Sequence, residues 1–235
     1  MFDDQKTDLL RRYGQGDVIV SALRSALSVA GPMGAIVGEF LTQLVPDQRM
    51  DRLQDFVELL DGRLTGLEDQ FKARLHESST YATFAEQVMV VAVRTSSRER
   101  HRDLAELLRT GLSKSDADLV RHQTVLNLLE RLNDVQILIL MRYGSFGGTF
   151  GDPELSDFLA VHRDAFPEHP TLNASEDARL AWNLYQHYEG ELLQLGLLRE
   201  LEGVVKASEH RKLTITPIGT LVLEAIGRAA HRSRP

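Results

Sequence analysis

No cysteine occurs in the 235 residues. Disulfides, thiolate metal sites and cysteine nucleophiles are therefore excluded, and the composition suits a reducing, cytoplasmic setting. Tryptophan occurs once, at Trp182. Positive charge is scarce: 27 Lys and Arg stand against 34 Asp and Glu, a net charge of −7. A protein held to nucleic acid by bulk electrostatics is normally basic, which counts against that class. The opening MFDDQKTDLLRRYGQGD mixes acids with polar residues and does not read as a signal peptide.

Catalytic signatures are missing too. There is no HExxH or other compact metal-ligand spacing, and no G-x-S-x-G elbow. His162 and His169 are separated by a proline-containing loop, with Asp164 and Glu168 between them. The glycines at Gly144, Gly147, Gly148 and Gly151 lack the lysine and Ser/Thr of a phosphate loop, so that stretch reads as a connector. No metal or cofactor is expected, and the sequence leans away from an enzyme.

What is present is helical patterning. Residues 18–45 are the most apolar region, interrupted by Gly31-Pro32, and predict two helices or one kinked helix. Ala30, Gly34 and Gly38 line small residues along one face. Only 14 uncharged residues separate Arg24 from Glu39, short of the roughly 20 that a membrane span needs. A hairpin buried in the fold is expected, and a membrane-inserting hairpin is the rival.

Over about 48–76 the apolar positions Leu53, Val57, Leu60, Leu64, Leu67 and Phe71 recur at near-heptad spacing. One long helix is expected, weakened at Gly62 and Gly66. Its stripe serves either an oligomer seam or the chain's own bundle. Ser78-Ser79-Thr80 breaks the pattern before a helix over Tyr81–Val93. Ser96, with Glu99 three residues on, predicts a capping box for the next helix, which ends near Gly111. Ser113 or Ser115 caps another, carrying Leu119 to Leu132. Arg94, Arg98, Arg100, His101 and Arg102 form a basic cluster, read as a solvated helix start in preference to a phosphate contact.

Near Asn133 the character changes. Val135–Met141 is a solid apolar run that fits a buried strand and a helix from Asp134 equally. A short helix follows over Glu154–His162. Ser175 then opens the best helix of the C-terminal part, with Glu176 and Asp177 in its first turn, where acids suit the helix dipole. Trp182, Tyr185 and Tyr188 form a stripe on it, flanked by Leu184, Leu192 and Leu195. The stripe reads as core in preference to a base-stacking surface.

The chain then runs Gly196-Leu197-Leu198, a polar segment, and Leu213-Thr214-Ile215-Thr216-Pro217-Ile218-Gly219. Gly196 suits a helix end and Pro217 a helix start, giving helix, strand, hairpin, strand, helix. Residues 196–219 resemble the C-terminal half of a winged-helix module. The resemblance implies a helix, not a strand, for the run from Asp134, a third helix over Ser175–Leu195 and a wing over Gly203–Lys212, the last two being the elements with which such families typically hold DNA. Lys206, Arg211, Lys212, Arg228 and Arg232 are the nucleic-acid-contacting candidates. Residues 203–235 carry a local +4, while residues 175–198 carry −3.

The expected fold is mainly α. A helical domain at 1–132, with the long heptad-like helix, precedes a winged-helix-like α+β module with a small β-hairpin at 133–228 and a basic tail at 229–235. The leading functional expectation is a non-enzymatic interaction or regulatory scaffold with a protein partner or self-association. The alternatives are a winged-helix DNA-binding transcriptional regulator, with weak nucleic-acid contact, and a membrane-acting effector using residues 18–45.

Overall fold

A computed structural model describes residues 50–145, 153–201 and 213–228. The 18–45 hairpin, the wing at 203–212 and the basic tail lie outside them. The described residues are mainly helical, with one two-stranded antiparallel hairpin. Tertiary contacts divide the chain between Gln123 and Thr124. The change of character read from sequence falls a little later, near Asn133.

In the first unit, the stretch expected as one long helix is two: α1 (Met50–Leu64) and α2 (Glu68–Glu77). Gly66 makes the break at φ +81°, a left-handed conformation that closes a helix at little cost for glycine alone. Its amide donates to the Glu68 carboxylate at 3.0 Å, and Leu67 N–H turns back to the Leu64 carbonyl at 2.7 Å. The heptad spacing continues through the break because both helices present apolar residues to one core. Leu53, Val57, Leu60, Leu64 and Phe71 are fully buried, and Leu67 is half-buried.

Helix α3 (Ser79–Arg94) starts at Ser78, whose hydroxyl accepts from Tyr81 N–H at 3.0 Å. The same hydroxyl donates to Asp116 at 2.8 Å, and Asp116 also receives Arg74. Helix α4 (Arg98–Leu112) packs against both α1 and α3. Its cap is Ser97, one residue later than expected, with its hydroxyl accepting from Arg100 N–H. Glu99 pairs instead with Arg102. Helix α5 (Asp116–Arg131) is preceded by Ser115, which accepts from Asp118 N–H and donates to its carboxylate.

The second unit begins within α5 and continues with α6 (Asp134–Ser145), so Val135–Met141 is helical as expected. Asn133 and Gln136 cap it reciprocally, each side chain accepting from the other's amide at 2.8 Å. Helix α7 (Pro153–Val161), a 3-10 turn (Arg163–Ala165) and α8 (Glu176–Gln194) follow. Strand β1 (Leu198–Glu200) pairs antiparallel with β2 (Leu213–Ile215), Leu198 opposite Ile215, and α9 (Pro217–Ala225) closes the unit.

The two stretches that suggested this order are tied together. Gly196, at φ +69°, ends α8, with Leu197 N–H reaching the Leu192 carbonyl and Gly196 N–H the Leu193 carbonyl. Leu192 and Leu197 are both fully buried, the apolar contact that accompanies this type of helix ending. Thr216 caps α9 by accepting from Gly219 N–H, and its hydroxyl donates to the Gly196 carbonyl at 2.6 Å. Its own amide donates to the Leu197 carbonyl at 3.0 Å. A Cβ on Gly219 would lie 2.4 Å from that carbonyl oxygen, so only glycine permits the approach.

Candidate functional site

The basic cluster of the first unit is not a single surface. Arg100 and His101 are buried, the His101 ring nitrogen Nε2 sits 2.9 Å from the Ala92 carbonyl, and its ring meets Phe56 edge-on. Arg94 and Arg98 are exposed, and Arg102 is tied to Glu99. The most concentrated ion pairing on α4 lies at Glu106, whose side chain is 5% exposed and receives both Arg63 and Arg109. Its carboxyl is held below its ordinary value, chiefly by hydrogen bonds from Arg109, against the opposing effect of burial.

Five of the six seam candidates are buried within the chain itself, and Leu67 is half-buried. Leu53, Val57, Leu60, Leu64 and Phe71 are at 0% exposure within a single chain.

In the second unit, polar and aromatic groups meet between α6 and α8. Tyr143 and Tyr185 both donate to the Glu189 carboxylate at 2.7 Å. Tyr185 also accepts from Arg142, whose guanidinium lies over the rings of Tyr143 and Phe166. Trp182 stacks on Tyr185, with centroids 5.7 Å apart. Burial, followed by the Glu189 charge, raises the pKa of both phenols and keeps them protonated. Two phenols fixed on one carboxylate, beside a pinned guanidinium, offer no activated nucleophile. The arrangement is suited to holding α6 and α8 together. Among the described residues, no group of three or more His, Cys, Asp or Glu is placed to hold a metal ion. None of their helices is long and apolar enough to cross a membrane.

The aromatic stripe of α8 is only partly core. Tyr185 is buried, while Trp182 and Tyr188 are half-buried. One side of the helix differs from expectation. Leu184, read from sequence as flanking the core stripe, is 44% exposed, and Leu180 one turn earlier is 57% exposed. Glu176 and Asp177 are exposed in the preceding turn. The loop before α8 adds Leu172, 95% exposed, whose carbonyl accepts from Arg179 at 2.8 Å. The sequence held a signal for this: apolar residues spread over a wider arc of α8 than one core-facing stripe occupies.

Of the nucleic-acid candidates, Arg228 alone is described. It is half-buried, and its guanidinium packs against the Met141 sulfur at 3.8 Å, while its amide reaches the Leu223 carbonyl. Lys206, Arg211, Lys212 and Arg232 lie outside the described residues. No protein-family model, curated protein or solved structure matches the chain.

Proposed function

We propose that this chain is a non-enzymatic interaction or regulatory protein whose C-terminal unit is a winged-helix-like module that binds protein. The observation that carries this reading is the outer face of α8, where Leu180 and Leu184 stand 57% and 44% exposed beside Glu176 and Asp177. In helix-turn-helix docking, the N-terminal residues of the corresponding helix approach base edges and phosphates. Two carboxylates at that end repel a phosphate backbone, and exposed leucines have no partner there. Exposed apolar side chains rimmed by charge are instead a common protein-binding surface.

Titration with duplex DNA at two salt concentrations tests the reading. Weak binding that fades at physiological salt, without sequence preference, is the expected result. Tight binding that persists at physiological salt and favours one sequence would overturn it in favour of a DNA reader.

A further inference from the structure

We infer that the outer face of α8 docks a cationic amphipathic helix of a partner protein, an inference that rests on reading the C-terminal unit as a protein-binding module. Leu180 and Leu184 are four residues apart, about 6 Å along the helix axis, and lie on one side of it. They therefore offer an apolar ridge about one turn long. Leu172 is brought beside this helix by the bond from Arg179 to its carbonyl. An apolar patch alone does not choose its occupant. Charge does.

Glu176 and Asp177 are exposed, and neither forms an ion pair among the described residues. Arg179 is the one Lys or Arg between Ser175 and Leu198, and its guanidinium is turned to the Leu172 carbonyl. The other two acids of this stretch are engaged elsewhere: Glu189 with two tyrosines, and Glu191 with Gln136 and His187. The ridge thus carries, at its N-terminal end only, two carboxylates that face the helix dipole but pair with no side-chain cation among the described residues. The complementary surface has two apolar side chains one turn apart, with Lys or Arg placed to meet Glu176 and Asp177. An amphipathic helix supplies that pattern with few side chains. An anionic nucleic acid and an acidic peptide are both repelled by it.

The test uses the full-length chain and a fluorescently labelled synthetic helix of leucine and lysine, with leucines at i and i+4, read by anisotropy. One control peptide replaces lysine by glutamate and another replaces leucine by serine. The Leu/Lys peptide should bind and both controls should fail. Leu180→Ser with Leu184→Ser should weaken binding by about tenfold or more, as loss of central apolar anchors commonly does. Asp177→Lys should do the same, whereas Asp69→Lys, an equal charge change at an exposed site in the first unit, should change it less than about twofold. All these positions are exposed, and Trp182 fluorescence verifies that the C-terminal variants remain folded.

Equal loss in Asp69→Lys would show non-specific attraction to an acidic chain and overturn the site. Undiminished binding by the leucine double variant would do so too. Absence of peptide binding, with DNA binding also absent, overturns this inference and leaves the protein-binding reading standing. Salt-resistant DNA binding overturns the reading beneath it.

Discussion

Alanine at two helical glycines of the C-terminal unit, Gly190 and Gly219, should have opposite effects. Gly190 lies inside α8, with nothing within 4 Å of where a Cβ would stand. Replacing it removes backbone freedom from the unfolded chain and stabilises by about 1 kcal/mol. Gly219 lies in the first turn of α9, where the same gain is at most about 1 kcal/mol. Its Cβ would stand 2.4 Å from the Leu197 carbonyl oxygen and 2.7 Å from Ile215 Cγ1. A flexible side-chain tip would swing aside, but this oxygen is backbone, held by Thr216 N–H at 3.0 Å. Overpacking costs about 1–3 kcal/mol, and a fixed backbone obstacle belongs at the upper end. Gly219→Ala should therefore destabilise by about 1–2 kcal/mol net, and the two variants should differ by about 2–3 kcal/mol. Trp182 is the one tryptophan and lies in this unit, so selective excitation reports its unfolding. Midpoints on either side of the wild-type value are expected. Gly219→Ala melting with or above the wild type would refute the claim that α9 depends on this backbone approach.

Gly66→Ala should destabilise the first unit by about 1–2 kcal/mol, because φ +81° is strained for any Cβ, whereas Gly62→Ala, with open space around it, should stabilise; chemical denaturation of both variants checks the contrast. His122 is buried beside Phe84, and desolvation lowers its pKa from the ordinary 6.5, with Lys114 adding to the shift and Asp118 opposing it. The folded state then binds fewer protons than the unfolded state, so its contribution is complete above about pH 6.5 and is lost as pH falls through the lowered value. His122→Leu should flatten that acid-side loss when urea midpoints are measured against pH, and an unchanged slope would exclude His122 as its source. Glu106→Gln should cost about 1.5 kcal/mol by weakening charge-assisted bonds to a nearly buried carboxylate. Arg63→Ala should cost less than about 1 kcal/mol, since that guanidinium side chain is 46% exposed, and paired denaturation curves decide the order.

The C-terminal element order was legible because its punctuation is chemical. Gly196 and Pro217 can each do few things, and they end and begin helices as read. The run Val135–Met141 fits a strand as well as a helix, and only the resemblance favoured the helix, whose start the Asn133/Gln136 cap fixes. The break at Gly66 was not, because apolar spacing records which residues face the core and is blind to the hand of one glycine between them. The cap at Ser97 was missed for a similar reason: Ser96 and Ser97 are equivalent by composition, and only the bond from Arg100 N–H to the Ser97 hydroxyl tells them apart. The exposed leucines of α8 were hidden by treating every leucine on an amphipathic helix as core. Periodicity gives the direction of a side chain but not what, if anything, stands opposite it.

The Ser78 hydroxyl bears on how the first unit opens. A helix's first turn is ordinarily among the earliest parts to fray, since its amides lack partners within the helix. Here the oxygen that caps Tyr81 N–H is also committed to Asp116, which in turn holds Arg74 of the preceding helix. Loosening the start of α3 therefore disturbs contacts made by two other helices. Its amide protons should exchange with solvent on the timescale of the whole unit, so that this helix end behaves as part of one cooperative block and not as a terminus.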